Sequence, residues 1–250
     1  MPFTFSHPLY AIPLKWIKPK YFCVTGLVLG SMSPDFEYFI ALEPYRTIGH
    51  SVTGLFMQSI PLSILFAFIF HKIIVKTLSL HLPSFYNLDM RSYQVFHSWQ
   101  LNTFRKWIVF LTSVVIGFYS HIFVDSFTHT GGYFVLRFSF FSNTINSIPI
   151  YKFLQHILSL SGLLFLTLLC FKVLRKQNNF QRKRIISQKQ KLKYWSVVLF
   201  TALVVTTLKL LFTSSTNIIG IIIVSPISGT LLGIFAASMF YKINKRRNIK

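Results

Sequence analysis

The chain has 250 residues and a mean hydropathy of +0.54, with 52% hydrophobic, 17% aromatic and only 12% charged residues. A soluble domain carries about 25% charged residues, so this composition excludes a disordered segment, a solvated linker and an ordinary soluble enzyme. The net charge of +21 could suggest a nucleic-acid partner. Nine of the 26 basic residues, however, fall between Lys172 and Lys193, and five between Lys242 and Lys250. Both clusters flank apolar runs, the pattern of cytoplasmic loops in membrane proteins, and no nucleic-acid partner is expected.

The first 20 residues carry four prolines and interrupted apolar patches, without the continuous core of a cleaved leader, and none is expected. Tyr21–Met32 is apolar but only about half the roughly 20 residues a span needs, and Ser33-Pro34-Asp35 interrupts it. Two readings stay open for this segment: one marginal span, or a re-entrant pair of half-helices, which is tolerated where broken backbone lines a protein cavity. Five full spans are predicted downstream, near Gly54–Val75, Trp107–Thr128, Phe153–Val173, Tyr194–Thr213 and Asn217–Tyr241. The expected fold is all-α, a polytopic integral membrane helical bundle of five to six transmembrane helices. It divides into a membrane core (1–173), a basic cytoplasmic loop (174–193), and a C-terminal hairpin with a basic tail (194–250). The basic flanks place the C-terminus in the cytoplasm and Thr130–Lys152 on the outer side.

Cys23 and Cys170 lie in apolar runs without CxxC spacing, so no disulfide or thiolate site is implied. The acidic residues are only Asp35, Glu37, Glu43, Asp89 and Asp125. Asp125 stands out in His121-Ile122-Phe123-Val124-Asp125-Ser126-Phe127-Thr128-His129, where spacings of four put His121 and Asp125 on one helix face. A charged side chain at membrane depth costs about 2.5–3.5 kcal/mol on insertion scales. A divalent metal would compensate it, since imidazole nitrogen and carboxylate oxygen are first-row metal ligands. The three residues together span about 12 Å of helix, too far to meet at one ion without a bend, which Gly131-Gly132 could supply. His50, His156 and Asp35 fall near the same membrane end, and His7 joins them if the N-terminal segment returns there. The bland alternative is interhelical hydrogen bonding, worth about 0.6 kcal/mol per pair. His71, His81 and His97 read as solvated, Asp89 as a loop residue, Lys209 as snorkelling, and Glu37 and Glu43 as supports for the ligands.

The stretches Met1–Pro8, Gly30–Phe39 (with Ser33-Pro34-Asp35), His50-Ser51, Ser120–His129 and Leu154-Gln155-His156 resemble a bacterial membrane family catalogued as domain of unknown function 4184. The resemblance covers roughly residues 1–170 and no activity comes with it. More distantly, the order His, Asp, His, HxxxD, His, His is similar to the ligand order of zinc-dependent phospholipase C and of inner-membrane metal-dependent hydrolases. That similarity implies His7, Asp35, His50, His121, Asp125, His129 and His156 as metal ligands, with Asp125 bridging two ions. Where the phospholipase pattern has a Glu four residues after its last His, this chain has Leu160.

The expected function is therefore hydrolysis of a phosphoester, in a lipid or lipid-linked substrate, by a divalent metal, with zinc the expected ion. His50, His121, Asp125 and Asp35 are the leading ligands; Asp35 and Asp125 are also the candidates for orienting the attacking water. The expected partner is membrane lipid and the expected location a bacterial inner membrane. The alternative is a non-catalytic scaffold or transporter-like protein with a structural His/Asp core.

Overall fold

Five helices long and apolar enough to cross a membrane account for most of the chain in the computed structural model, which describes residues 3–96, 99–177 and 186–247, the last four as backbone only. The protein is an all-α integral membrane protein; among the described residues the only strands are the paired dipeptides Thr144–Ile145 and Ile148–Pro149. A short helix α1 (Val24–Met32) precedes the spans α2 (Val52–His81), α3 (Phe104–Asp125), α4 (Ile150–Arg175), α5 (Gln188–Leu211) and α6 (Ile218–Arg247). All five spans lie where the apolar runs put them. The nine residues of α1 rise only about 14 Å, under half the roughly 30 Å of a hydrocarbon core. Pro34 then starts a tight turn, Ser33–Asp35, leading into the short helix Phe36–Ala41.

Helix starts follow local chemistry. Ser51 caps α2 by accepting from the Gly54 amide at 3.0 Å. Thr103 caps α3, and Ser187 with Gln190 forms a reciprocal capping box on α5. Two wide turns, Leu55–Ser59 and Phe70–Ile74, interrupt the regular hydrogen bonding of α2.

The chain forms two compact units. The first contains Met1–Phe36, Thr47–Ala67 and Leu101–Cys170; the second contains Glu37–Arg46, Phe68–Gln100 and Phe171–Lys250.

In the first unit, α1 lies against α3 at backbone contact. A Cβ on Gly30 would stand 2.2 Å from the Val114 carbonyl oxygen, and one on Gly117 would stand 2.6 Å from that of Leu27. Gly26-Leu27-Val28-Leu29-Gly30 is thus a small-xxx-small interface, which lets helix backbones approach where lipid supplies no hydrophobic drive. The N-terminal segment is held on α4: the Phe3 amide donates to Ser159 Oγ at 2.9 Å and the Tyr10 hydroxyl to the Leu158 carbonyl at 2.9 Å.

The second unit repeats the device. In the α5–α6 hairpin, Gly229 and Gly233 face Ala202 and Val198, with added Cβ atoms 2.7 and 2.8 Å from their Cα atoms. Here several sequence expectations change. Asp89 is a buried residue in the first turn of the helix Leu88–Val95, paired with the Lys191 ammonium and hydrogen-bonded by the Met90 amide and Ser84 hydroxyl. Burial alone would raise its carboxyl pKa, but these donors hold it below the usual carboxylate range. His81 is buried, stacked on Tyr194 at 4.4 Å, and the half-buried His71 stacks on Trp99 at 4.5 Å; both lie on α2, which continues past the basic Lys72 and Lys76 to His81. Lys209 pairs with Glu43 at 2.8 Å, and that contact lowers the Glu43 pKa. His97, and residues 178–185 of the basic segment expected over 174–193, lie outside the described residues.

Candidate metal centre

The last turn of α3 is the base of the site. His121 and Asp125, one turn apart, place Nε2 and Oδ2 3.2 Å from each other. The helix stops at Asp125, three residues before the expected end, and the turn that follows brings His129 back: its Nδ1 lies 3.2 Å from the Asp125 carbonyl oxygen and 3.6 Å from Oδ1. The bend needed for His129 to approach Asp125 is therefore present, and it comes from the Ser126–Thr128 turn. Gly132 packs on the Ser126 carbonyl just beyond it.

Three other segments of the same unit converge on this turn. The turn after α1 carries Asp35, with Oδ1 3.7 Å from His121 Nε2. His50, two residues before α2, reaches both carboxylates, its Nε2 3.5 Å from Asp35 Oδ1 and 3.5 Å from Asp125 Oδ2. His7, between the turn Thr4–Ser6 and the helix Pro8–Ala11, stacks on the His121 ring with centroids 3.7 Å apart and lies 3.6 Å from Asp125 Oδ1. His7, Asp35 and His121 are each wholly buried.

These separations discriminate between the two readings of the cluster. Packing pairs should meet at hydrogen-bond distance, about 2.7–3.2 Å. Donors sharing a metal at about 2.1 Å with tetrahedral angles stand about 3.4 Å apart. Four of the five observed edges, at 3.5–3.7 Å, exceed hydrogen-bond distance and match the second pattern, while the fifth, His121 Nε2 to Asp125 Oδ2 at 3.2 Å, fits either. Hydrogen bonding agrees: His7 Nδ1 and Nε2, Asp35 Oδ1, His50 Nδ1, His121 Nε2, Asp125 Oδ1 and His129 Nε2 are all buried without a hydrogen-bond partner. Leaving a buried polar group unsatisfied costs about 1–3 kcal/mol, and four of these atoms face one another in pairs across the cluster, Asp35 Oδ1 with His121 Nε2 and His7 Nε2 with Asp125 Oδ1.

The surrounding bonds orient the free atoms. His121 Nδ1 lies 2.7 Å from the Ser31 carbonyl oxygen. Donation to that oxygen puts the neutral ring's proton on Nδ1 and leaves Nε2 as a lone pair aimed at the carboxylates, the usual support of a metal-bound imidazole. Thr4 Oγ1 donates to Asp35 Oδ2 at 2.6 Å, occupying one oxygen and leaving Oδ1 for the cluster. Burial lowers the His7 pKa well below its ordinary value, and the neighbouring His121 lowers it further. Burial likewise lowers that of His129 and raises that of Asp35. Neutral imidazoles are the ligand form.

Two triads that could hold a metal ion meet at His121: His7, His121 and Asp125, and Asp35, His50 and His121, with one nitrogen or oxygen of each residue within 4.8 Å of the others. Of the seven ligands that the phospholipase similarity implies, five form these triads. His129 stands beside them through Asp125. His156 is exposed on α4 and belongs to neither triad, and Leu160, one turn further, points outward at 71% exposure. Sequence reasoning passed over Thr4, which has no motif, the Ser31 carbonyl, which is backbone, and the Gly26/Gly30 spacing, which was legible.

No curated protein and no solved structure matches the chain. The sequence profile of the family described as a domain of unknown function (DUF4184) matches residues 1–239, reaching through α5 and most of α6, well past the motifs that end at His156. The chain belongs to that family.

Proposed function

We propose that this protein is a membrane-embedded, metal-dependent hydrolase of phosphoesters, acting on a lipid or lipid-linked substrate. The observation that carries the reading is the set of unsatisfied nitrogen and oxygen atoms gathered from four chain segments around His121 and Asp125. His50, His121, Asp35 and Asp125 would hold the ion, with His7 completing the second triad and His129 beside it. A mixed imidazole and carboxylate donor set suits zinc. Such an ion supplies Lewis-acid chemistry on a phosphoryl oxygen. The chain's own work is positional: Ser31 fixes the His121 tautomer, Thr4 fixes the rotation of Asp35 so that its Oδ1 faces the ion, and a carboxylate oxygen of Asp125 left free by the ion would orient water and take its proton.

The basic segments 172–193 and 242–250 favour a bacterial inner membrane with the C-terminus in the cytoplasm. Alternation of the five spans then puts the C-terminal end of α3 and the N-terminal end of α2, and with them the cluster, at the outer face. A site at that level meets substrates at the headgroups.

The test is hydrolysis by purified protein in lipid nanodiscs against a panel of phospholipids and lipid-linked phosphodiesters. Activity should disappear with a chelator and return with zinc or manganese. Asp125→Ala should lower it more than about 100-fold, beyond the loss typical of removing a group that only supports a ligand, while His156→Ala retains it. Metal-loaded protein that cleaves no phosphoester in the panel would sink the enzymatic reading.

A further inference from the structure

We propose that residues 133–142 form an interfacial arm that docks into the phospholipid leaflet beside the His/Asp cluster. The arm consists of the short helix Tyr133–Arg137 and the turn Ser139–Ser142, followed by a two-stranded hairpin with a polar tip at Asn146 and Ser147. Its root is fixed to the end of α3. The Phe134 amide donates to the Ser126 carbonyl at 3.1 Å, the Phe134 ring stacks on Phe127 at 4.1 Å, and Val135 is buried. One apolar face is thereby used up within the first unit.

The other face is not. Tyr133, Leu136, Phe138 and Phe140 are 58%, 74%, 51% and 60% exposed, and Arg137 is the sole formally charged residue from Ser126 to Ile150. A cluster of this kind in water would be an association hazard. Here it continues the exposed apolar surface of the spans it connects, through Phe123 at the end of α3 and Ile157 and Leu160 near the start of α4. Lipid already covers those spans, so the occupant that the neighbouring surface supplies is lipid.

The polar groups suit the same depth. Arg137 donates to the Tyr133 hydroxyl at 3.1 Å and its guanidinium lies 5.5 Å from the Tyr133 ring centroid. An aromatic ring with a polar tip, next to a guanidinium, is the pairing that settles at headgroup level, apolar body toward the acyl chains and cation toward phosphate. The root of the arm meets the cluster directly, because Gly132 packs on the backbone of Asp125 and Ser126. The arm therefore brings phospholipid to the edge of the candidate metal centre. This inference stands on the arm's geometry and holds whether or not the centre is hydrolytic.

Spin labels test it on full-length protein carrying Cys23→Ala and Cys170→Ala, in vesicles of phosphatidylcholine and phosphatidylglycerol. Labels go singly at Leu136→Cys, Phe138→Cys and Phe140→Cys. Phe123→Cys serves as the lipid-facing reference, and Asn146→Cys, at the polar hairpin tip, as the aqueous one. Collision with oxygen relative to a water-soluble nickel chelate should be several-fold higher at 136, 138 and 140 than at 146, and close to that at 123. Chelate access equal to that at 146 would overturn the proposal by placing the arm in water. Exclusion of both reagents would overturn it by showing protein, such as a second copy, over the arm.

Discussion

Stripping divalent cations from the purified protein is expected to lower its unfolding temperature by about 10 °C, and restoring zinc should recover it. The reason lies in the seven buried atoms of the cluster that have no hydrogen-bond partner. In the folded chain without an ion, Asp35 and Asp125 stand close to the same imidazoles with their free oxygens unsatisfied, while unfolding returns every one of these groups to water. An ion that binds only the folded state stabilises it by RT ln(1 + [L]/Kd), about 4 kcal/mol at a thousand times Kd. For a chain of this size each kcal/mol moves the midpoint by about 2–4 °C. Asp125→Ala should abolish the zinc-dependent shift, because Asp125 contacts four of the five clustered histidine and aspartate partners: His7, His50, His121 and His129. A midpoint that ignores chelator and zinc alike would mean that the cluster is satisfied without a metal.

Gly30→Ala is expected to cost about 3 kcal/mol, toward the upper end of what overpacking exacts, with Gly30→Leu costing more. The new Cβ would stand 2.2 Å from the Val114 carbonyl oxygen and 2.7 Å from its Cα; these are backbone atoms that no rotamer change can move aside. Relief requires α1 and α3 to separate. Because Ser31 is the next residue and its carbonyl receives His121 Nδ1, separation also releases the tautomer lock and draws Asp35 away from His121. Gly30→Ala should therefore lose zinc affinity as well as stability. Gly131→Ala is the control: nothing lies within 4 Å of its added Cβ, and a change below about 0.5 kcal/mol is expected. Denaturation in matched detergent checks both, and a Gly30→Ala protein as stable as wild type would show that the two helices are not held at backbone contact.

Much of this was legible in the sequence, for definite reasons. Span positions follow from hydropathy, because lipid accepts only long apolar helices with internally paired backbones. His121 and Asp125 announce themselves by a four-residue spacing inside such a span. What hydropathy cannot supply is which distant segments meet. His7 joins the cluster through an N-terminal segment whose Phe3 and Tyr10 dock on α4 and whose Thr4 bonds Asp35, contacts with no local signature. Charge density misled the reading of His71 and His81: the lysines near them suggested a solvated loop, whereas α2 carries both into aromatic contacts. Asp89 reads as a loop residue for a related cause, since its partner Lys191 lies more than a hundred residues away. The glycine pairs at 26/30 and 229/233 were readable from spacing, and they are where helix backbones touch.

Metal content tests the central claim most directly. Protein purified in detergent without chelators, then dialysed against zinc and freed of excess, is measured by inductively coupled plasma mass spectrometry beside His121→Ala, which removes the residue common to both triads. If the cluster is a metal centre, the wild type retains at least about one divalent ion per chain, and His121→Ala, still folded, retains almost none. A folded wild type that holds no more metal than the variant would return His121, Asp125 and their neighbours to the role of helix packing, and the hydrolase proposal would fall with it.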